Sequence, residues 1–232
     1  PMPKKVTMLN RAVSKSLIAL PLILLSMAVT AELKIPSKNP ALSVTGQQQL
    51  GTRENNIGLA IGSTVADFSI STHDNKTVTL KDIQSMGDTL VVFYRGGWCP
   101  YCNVQIRHLT QAWPEFQQRR ITPILISVDK IDAAALAQRT YEIPFPVLSD
   151  TDLIAHNAFE VVLDVDDATF ERYKKYGIDL ELWSGKNHHK IAVTAAYIVD
   201  KNAVVKWAHT SLDYKTRPSV EQLLDIIDTI AR

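Results

Sequence analysis

An α/β fold with a mixed, mostly parallel central sheet flanked by helices is predicted by three features of this chain. Two short apolar runs, Leu90–Tyr94 and Pro123–Val128, have the length and β-branched content of buried strands, and each is followed by an amphipathic stretch of helical period. Such alternation implies βαβ units. Near the C-terminus, Ala195–Asp200 and Ala203–Ala208 form a hairpin pattern turning at Lys201-Asn202, followed by a last amphipathic stretch.

In chain order, Phe68–Thr72 and Thr77–Leu80 read as strands around the Asp74-Asn75 turn, and Leu90–Tyr94 as the central strand. Gly96-Gly97 ends it, and the spacing of Ile106, Leu109, Trp113 and Phe116 predicts a helix over 104–119 that starts near the cysteines. Pro123–Val128 is the next buried strand, Ile131–Thr140 the next helix and Pro146–Leu148 a short extended piece. The final helix covers 219–231, with Ser219 or Pro218 at its start. Phe159–Lys190 is an insertion. In it, Asp166 or Asp167 caps a helix through Phe170, Tyr173 and Tyr176 that stops at Gly177, and Leu180–Lys190 is a loop carrying Trp183. Its aromatic residues either line a substrate entrance or form a satellite cluster over the sheet. Residues 32–61 are polar and punctuated by Pro36, Pro40, Gly46 and Gly51, so they read as a linker with at most short local structure, and 62–232 as the folded domain.

Both cysteines, Cys99 and Cys102, fall where the central strand gives way to the helix. A CxxC pair at such a turn is a redox signature. The thiolate is the nucleophile, and at an ordinary pKa of ~8.5 little of it exists at neutral pH; the unpaired N–H groups and positive end of the helix favour it. Pro100 suits the first helical turn, where its missing N–H is not needed. Residues three apart on a helix lie about 5–6 Å apart at Cβ, near the roughly 3.8 Å of a disulfide, so the pair can open and close one with little backbone movement. A purely structural disulfide across so short a loop would constrain little of the unfolded chain. His188-His189 have the wrong spacing for zinc, and Asn103 stands where covalent haem attachment needs a histidine. No metal or organic cofactor is expected.

Lys4, Lys5, Arg11 and Lys15 are four of the 25 basic residues, and the rest of the chain, with 24 acidic residues, is slightly acidic. That balance gives nucleic-acid binding no support. The basic start, the apolar stretch Leu17–Val29 and the small-residue end Val29-Thr30-Ala31 make 1–31 a secretory signal with cleavage after Ala31. The apolar stretch is shorter than a spanning helix, so membrane association is expected only through an uncleaved signal. A secreted or periplasmic location follows.

Three ordered motifs resemble the peroxiredoxin-like (AhpC/TSA, redoxin) branch of the thioredoxin superfamily. Val65-Ala66-Asp67-Phe68 resembles its Ala-Pro-Asp-Phe opening, with Ala66 replacing the proline, and Phe145-Pro146-Val147-Leu148-Ser149-Asp150 is similar to its Phe-Pro-Leu-Leu-Ser-Asp segment. Phe93–Cys102 is close to its active-site segment. The resemblance runs from about Gly62 to the C-terminus and implies a thioredoxin-like fold and peroxide reduction by cysteine. Where standard peroxiredoxins carry Pro, Thr and the attacking Cys, this chain has Arg95, Cys99 and Cys102; in the thioredoxin frame the attacking thiol is the first, Cys99. The expectation here is Cys99, nearer the unpaired N–H groups and the solvent. Thr194 stands where thioredoxins have a cis-proline and standard peroxiredoxins an arginine, which leaves Arg95 to supply the activating cation. An arginine at a strand end is equally suited to a surface ion pair. Trp98, Pro100, Tyr101 and Thr194 are the expected substrate-binding rim.

The function expected is an exported thiol peroxidase. A cysteine thiolate attacks hydrogen peroxide or an organic hydroperoxide, becomes a sulfenic acid and condenses with its CxxC partner to a disulfide, which a thioredoxin-like or other dithiol reductant opens. Cys-Pro-Tyr-Cys also resembles the glutaredoxin active site, so a thiol-disulfide oxidoreductase acting on protein disulfides is an alternative. A non-catalytic thioredoxin-fold binding domain is another.

Overall fold

A computed structural model of the protein describes residues 31–36, 45–46 and 50–230. The expected signal sequence lies outside the described residues, apart from Ala31. Among the described residues no helix is long and apolar enough to cross a membrane.

The elements follow the expected alternation. They are β1 (Thr45–Gly46), β2 (Ser69–Thr72), β3 (Thr77–Thr79), α1 (Leu80–Ser85), β4 (Thr89–Phe93), α2 (Pro100–Gln111), α3 (Trp113–Gln118), β5 (Thr122–Ser127), α4 (Ile131–Tyr141) and β6 (Val147–Ser149). Then come α5 (Ile154–Ala158), β7 (Val162–Asp164), α6 (Asp167–Lys175), α7 (Leu180–Ser184), β8 (Lys190–Ala192), β9 (Thr194–Val199), β10 (Val205–Ser211), β11 (Thr216–Arg217) and α8 (Val220–Ile230). Seven strands form one mixed sheet in the order β10-β9-β4-β5-β6-β2-β3. β4, β5 and β6 are parallel neighbours, whereas β9 runs antiparallel to β4, and β2 antiparallel to β6.

β4 is buried along its whole length, and its alternation divides the core. Leu90, Val92 and Tyr94 face the side covered by α2, α4 and α8, where Ile106, Leu109, Ala133, Ala134, Leu223 and Ile227 pack. Val91 and Phe93 face the side of α1 and α5, with Ile83, Ala155 and Phe159. Covering both faces is what a parallel centre requires, and it explains why the strand reads as a continuous apolar run rather than an alternating one.

The structure departs from the sequence expectations in four places. The helix expected over 104–119 begins at Pro100 and breaks at Ala112 into α2 and α3. Pro114 causes the break: it cannot donate the N–H that would continue the ladder to Thr110. Leu80 opens α1 instead of ending β3, because Thr79 and Asp82 form a reciprocal capping box. Within the insertion, Leu180–Lys190 is not all loop; Asp179 accepts the Leu182 N–H at 3.0 Å and caps α7, which Gly185 closes in the left-handed region. Finally, the segment expected as a linker is docked. β1 pairs in parallel with β11, and Thr52 accepts the Thr210 N–H at 2.9 Å at the edge of β10. The other expected strands and helices stand close to where their patterns put them, including α6 capped by Asp166 and α8 opened by Ser219 and Gln222, which cap each other's N–H groups, while the short α5, β7, β8 and β11 add to those expected.

Because α8 leads directly out of β11, its seating bears on the site as well as on stability. Leu223 is fully buried in the α2-side core. Leu223→Ala should cost about 2–5 kcal/mol in denaturant unfolding of the reduced protein; a loss under about 1 kcal/mol would show that α8 is not part of the cooperative core.

Candidate active site

The carboxyl ends of parallel strands converge at one edge of a sheet, and the loops leaving them build the site in open α/β folds. Here β4 exits into Arg95-Gly96-Gly97-Trp98-Cys99, and its neighbour β5 exits into Val128-Asp129. The two exits are tied together. Asp129 Oδ2 accepts the Gly97 N–H at 2.8 Å, and Asn103 Nδ2 donates to the Gly97 carbonyl at 2.8 Å, so one glycine peptide is held from both sides. Glycine is required there, since a Cβ on Gly97 would lie 2.9 Å from the Trp183 ring. Gly96 has φ +143°, and a Cβ on it would meet the Trp98 indole at 2.4 Å.

Cys99 is the N-cap of α2, Pro100 its first residue, and Cys102 sits one turn in. Both cysteines are free thiols and both are buried, Cys99 at 1% and Cys102 at 0% exposure. The solvent exposure expected of Cys99 is therefore absent, because Trp98, Arg95 and the aromatic residues around them cover the helix start. Arg95 lies 4.2 Å from the Tyr214 ring, 5.0 Å from Trp98 and 5.5 Å from Tyr173, and it donates to the Tyr173 hydroxyl. Tyr101 packs edge-on against Tyr214 at 5.5 Å. Of the insertion's aromatic residues, Tyr173 packs on Trp98 and Trp183 lies against Gly97 in the cysteine loop, while Phe170 stacks on His189.

The cation that meets sulfur is Arg217, a residue that sequence reasoning missed. Its Nη2 lies 3.1 Å from Cys102 Sγ, and its Nη1 donates to Gln105 Oε1 at 2.6 Å. Its Nε donates to the Tyr214 carbonyl at 3.2 Å. Arg217, Gln105 and Cys102 are all buried. Arg95 acts at longer range and through its backbone, its side chain being held in the aromatic cage. Thr194 donates to the Ser211 carbonyl at 2.7 Å; it shares with Arg217 and Gln105 the wall of a small cavity of about 10 Å³, and it touches neither cysteine through its hydroxyl.

These contacts separate the two thiols. Burial opposes ionisation of Cys102, yet the hydrogen bond from the Cys99 thiol, the Arg217 guanidinium and the Arg95 backbone bring its pKa down to about 5. Cys99 moves the other way: burial and the proton it shares with Cys102 raise it well above the ordinary thiol value. The expectation that the outer cysteine is the acidic one is reversed, because the charge that matters lies deeper than the helix end. Asp129, buried with Oδ1 unpartnered, is raised by burial to about 7 despite the Gly97 N–H. The arrangement can hold one buried thiolate beside a protonated thiol.

A CxxC pair thus stands at a helix head on a mixed sheet of thioredoxin-like fold. The profile of the AhpC/TSA family matches residues 61–208, and the chain belongs to that family. Its thioredoxin-fold likeness extends to solved peroxiredoxins. Peroxidoxin BcpB from Mycobacterium tuberculosis superposes with a TM-score of 0.57 at 19% identity, covering 73% of this chain and 97% of that one. A PrxQ variant from Xylella fastidiosa gives 0.59 at 16% identity, covering 75% and 98%. Among curated relatives, the thiol-disulfide oxidoreductase ResA of Bacillus cereus is 24% identical over 93 residues, 40% of this chain. The chain spans about half, 53%, of that relative's length. A putative peroxiredoxin, bcp, of Coxiella burnetii is 21% identical over 108 residues, 47% of this chain and 71% of the relative.

Two outcomes follow from the ionisation pattern. Ultraviolet titration of the reduced protein should show one thiolate appearing near pH 5, lost in Cys102→Ser, kept in Cys99→Ser at a higher midpoint, and moved up in Arg217→Met. A folded pKa of about 5 against about 9 unfolded means that the unfolded chain binds more protons between those values. Cys102 therefore adds stability as pH rises from 5 towards 9 and loses it as pH falls through 5. Asp129 has the opposite sign up to about pH 7, since its raised pKa makes the folded form the better proton binder. Net stability of the reduced protein should accordingly climb between pH 7 and 9, and thermal melts of Cys102→Ser should show no climb.

Proposed function

We propose that this protein is a thiol peroxidase in which Cys102 attacks and Cys99 resolves. The observation that carries this reading is the Arg217–Cys102 contact of 3.1 Å in a fully buried site. A guanidinium at an ionised sulfur holds the thiolate, and with five N–H groups it has donors beyond its contacts with Cys102, Gln105 and Tyr214 to offer a peroxide oxygen. Burial favours a small oxidant. Protein disulfides need an exposed sulfur for in-line approach, whereas hydrogen peroxide or a small organic hydroperoxide can reach a covered one.

In this scheme the Cys102 thiolate attacks one peroxide oxygen, the O–O bond breaks, and the departing oxygen leaves as water or an alcohol after taking a proton. Cys102 is then a sulfenic acid. The Cys99 thiol attacks its sulfur, water departs with the Cys99 proton and the sulfenic hydroxyl, and a disulfide remains. A dithiol donates two electrons and two protons to reopen it. The high pKa of Cys99 suits this order, since it stays a thiol, donating to Cys102, until the second step.

A second reading, a thiol-disulfide oxidoreductase, is favoured by the names of the ResA relatives and by the short CxxC spacing. Export to a secreted or periplasmic location is proposed from residues 1–31 alone, and a mass spectrum of the protein from its native host beginning at Glu32 would support it.

Stopped-flow oxidation of the reduced protein distinguishes these. Peroxide should consume the thiols faster than a protein disulfide does. Cys102→Ser should be inert to peroxide, while Cys99→Ser should accumulate a sulfenic acid on Cys102 that a dimedone-type reagent labels. If Cys99 carries the label and Cys102→Ser still reacts once, Cys99 is the nucleophile. Preference for the protein disulfide would favour the second reading, and inertness to both would leave a binding domain.

A further inference from the structure

The segment Leu50–Gly58 lies ahead of the family match, which starts at residue 61, yet it is laced to the strand edge that leads to Arg217. Besides the Thr52 carbonyl on the Thr210 N–H, Thr210 Oγ1 accepts the Glu54 N–H and donates to the Ile57 carbonyl, both at 3.1 Å. Arg53 bridges Thr210 in parallel, which also blunts the exposed edge of β10. The Glu54 carboxylate reaches one step further. Its Oε2 accepts the Leu212 N–H at 2.7 Å and lies 3.3 Å from the Ser211 hydroxyl. At the far end of the same loop, Gly46 of β1 is paired with Arg217 itself.

The loop 211–217 therefore has both ends fastened by the N-terminal segment. This loop places Tyr214 over Arg95 and brings Arg217 to Cys102. A charged acceptor on a backbone N–H is among the stronger hydrogen bonds, and a guanidinium–thiolate attraction falls off with each ångström of separation. We propose that Glu54 is a positioning residue of the active site: by fixing Ser211 and Leu212 it holds the loop in the register that sets Arg217 against the Cys102 sulfur. The inference rests on the reading of Cys102 as the Arg217-held thiolate. The charged and titratable groups facing Cys102 are Cys99, Arg217, Arg95, Tyr94 and Asp129, and Glu54 is not one of them.

The sign of the effect separates positioning from simple charge. A carboxylate acting through space would disfavour the thiolate, so removing it would lower the Cys102 midpoint. Positioning predicts a rise. In ultraviolet thiolate titration of the reduced full chain, Glu54→Ala should raise the midpoint by about one unit, leaving roughly tenfold less thiolate at a pH below it. Glu54→Gln keeps an acceptor oxygen and should stay at or slightly below the wild-type midpoint. Glu54→Ala combined with Arg217→Met should go no higher than Arg217→Met alone, since both remove one interaction. A midpoint in Glu54→Ala at or below wild type, or additive shifts in the double variant, overturns the proposal. Should Glu54→Ala fail to fold, Glu54→Asp retains the charge but is shorter by one methylene; it should raise the midpoint too, and an unchanged value overturns the proposal. The titration uses no peroxide, so a protein that shows these shifts but does not reduce peroxide would refute the proposed peroxidase and leave the role of Glu54 standing.

Discussion

The pairing of a buried guanidinium with a buried sulfur is the constraint on which the rest of this structure depends. A thiolate removed from water is costly unless an opposite charge and hydrogen-bond donors replace the solvent. Arg217 supplies the charge, and Cys99 and the Arg95 backbone supply donors. Each partner is itself held: Arg217 by Gln105 and the Tyr214 carbonyl, the cysteine loop by Asp129 and Asn103 on the Gly97 peptide. The site is thus pre-organised by side chains from the exit of β5, from α2 and from the segment before α8, with the strand–helix turn as their meeting point.

Burial of both thiols has a second consequence. Any reagent that meets either sulfur must reach it through the cover formed by Trp98, Tyr173, Tyr214 and Arg95. Two of those groups come from outside the turn: Tyr173 from the insertion, Tyr214 from the loop after β10. The insertion is closed into a unit by the β7–β8 pair and by caps on both its helices, and its Trp183 ring rests where any residue larger than glycine at position 97 would collide. An element that interrupts the βαβ alternation has in this way become part of the wall of the site.

The two cysteines divide the work by depth. The outer one, at the helix cap, carries the proton and the high pKa; the inner one carries the charge. Helix-end effects favour a thiolate by at most about 2 kcal/mol and act mainly within the first turn, whereas a guanidinium at hydrogen-bond distance in a dry site acts directly on the sulfur it touches. The closer charge decides which thiol ionises.

What the sequence by itself determined is local. The buried run Leu90–Tyr94, the Gly96-Gly97 break and the CxxC spacing were enough to place both cysteines at a strand-to-helix turn, because side-chain periodicity and backbone freedom act over a few residues. The motifs around Asp67, Cys99 and Asp150 carried the family. Misplaced boundaries were also local and readable: Pro114 in the long helix, the Thr79–Asp82 box and the Asp179 cap each have a mechanism in the chain itself. Asp129 was within reach of topology, standing at the exit of the strand beside β4. Arg217 was not. It lies 115 residues from Cys102, and no spacing or pattern relates the two; only the packing of Arg217 and the head of α8 against α2 puts a cation on the inner sulfur. Local chemistry chose the pair of thiols, and long-range packing decided which of them bears the charge, since electrostatic preference in a dry interior is set by neighbours in space rather than along the chain.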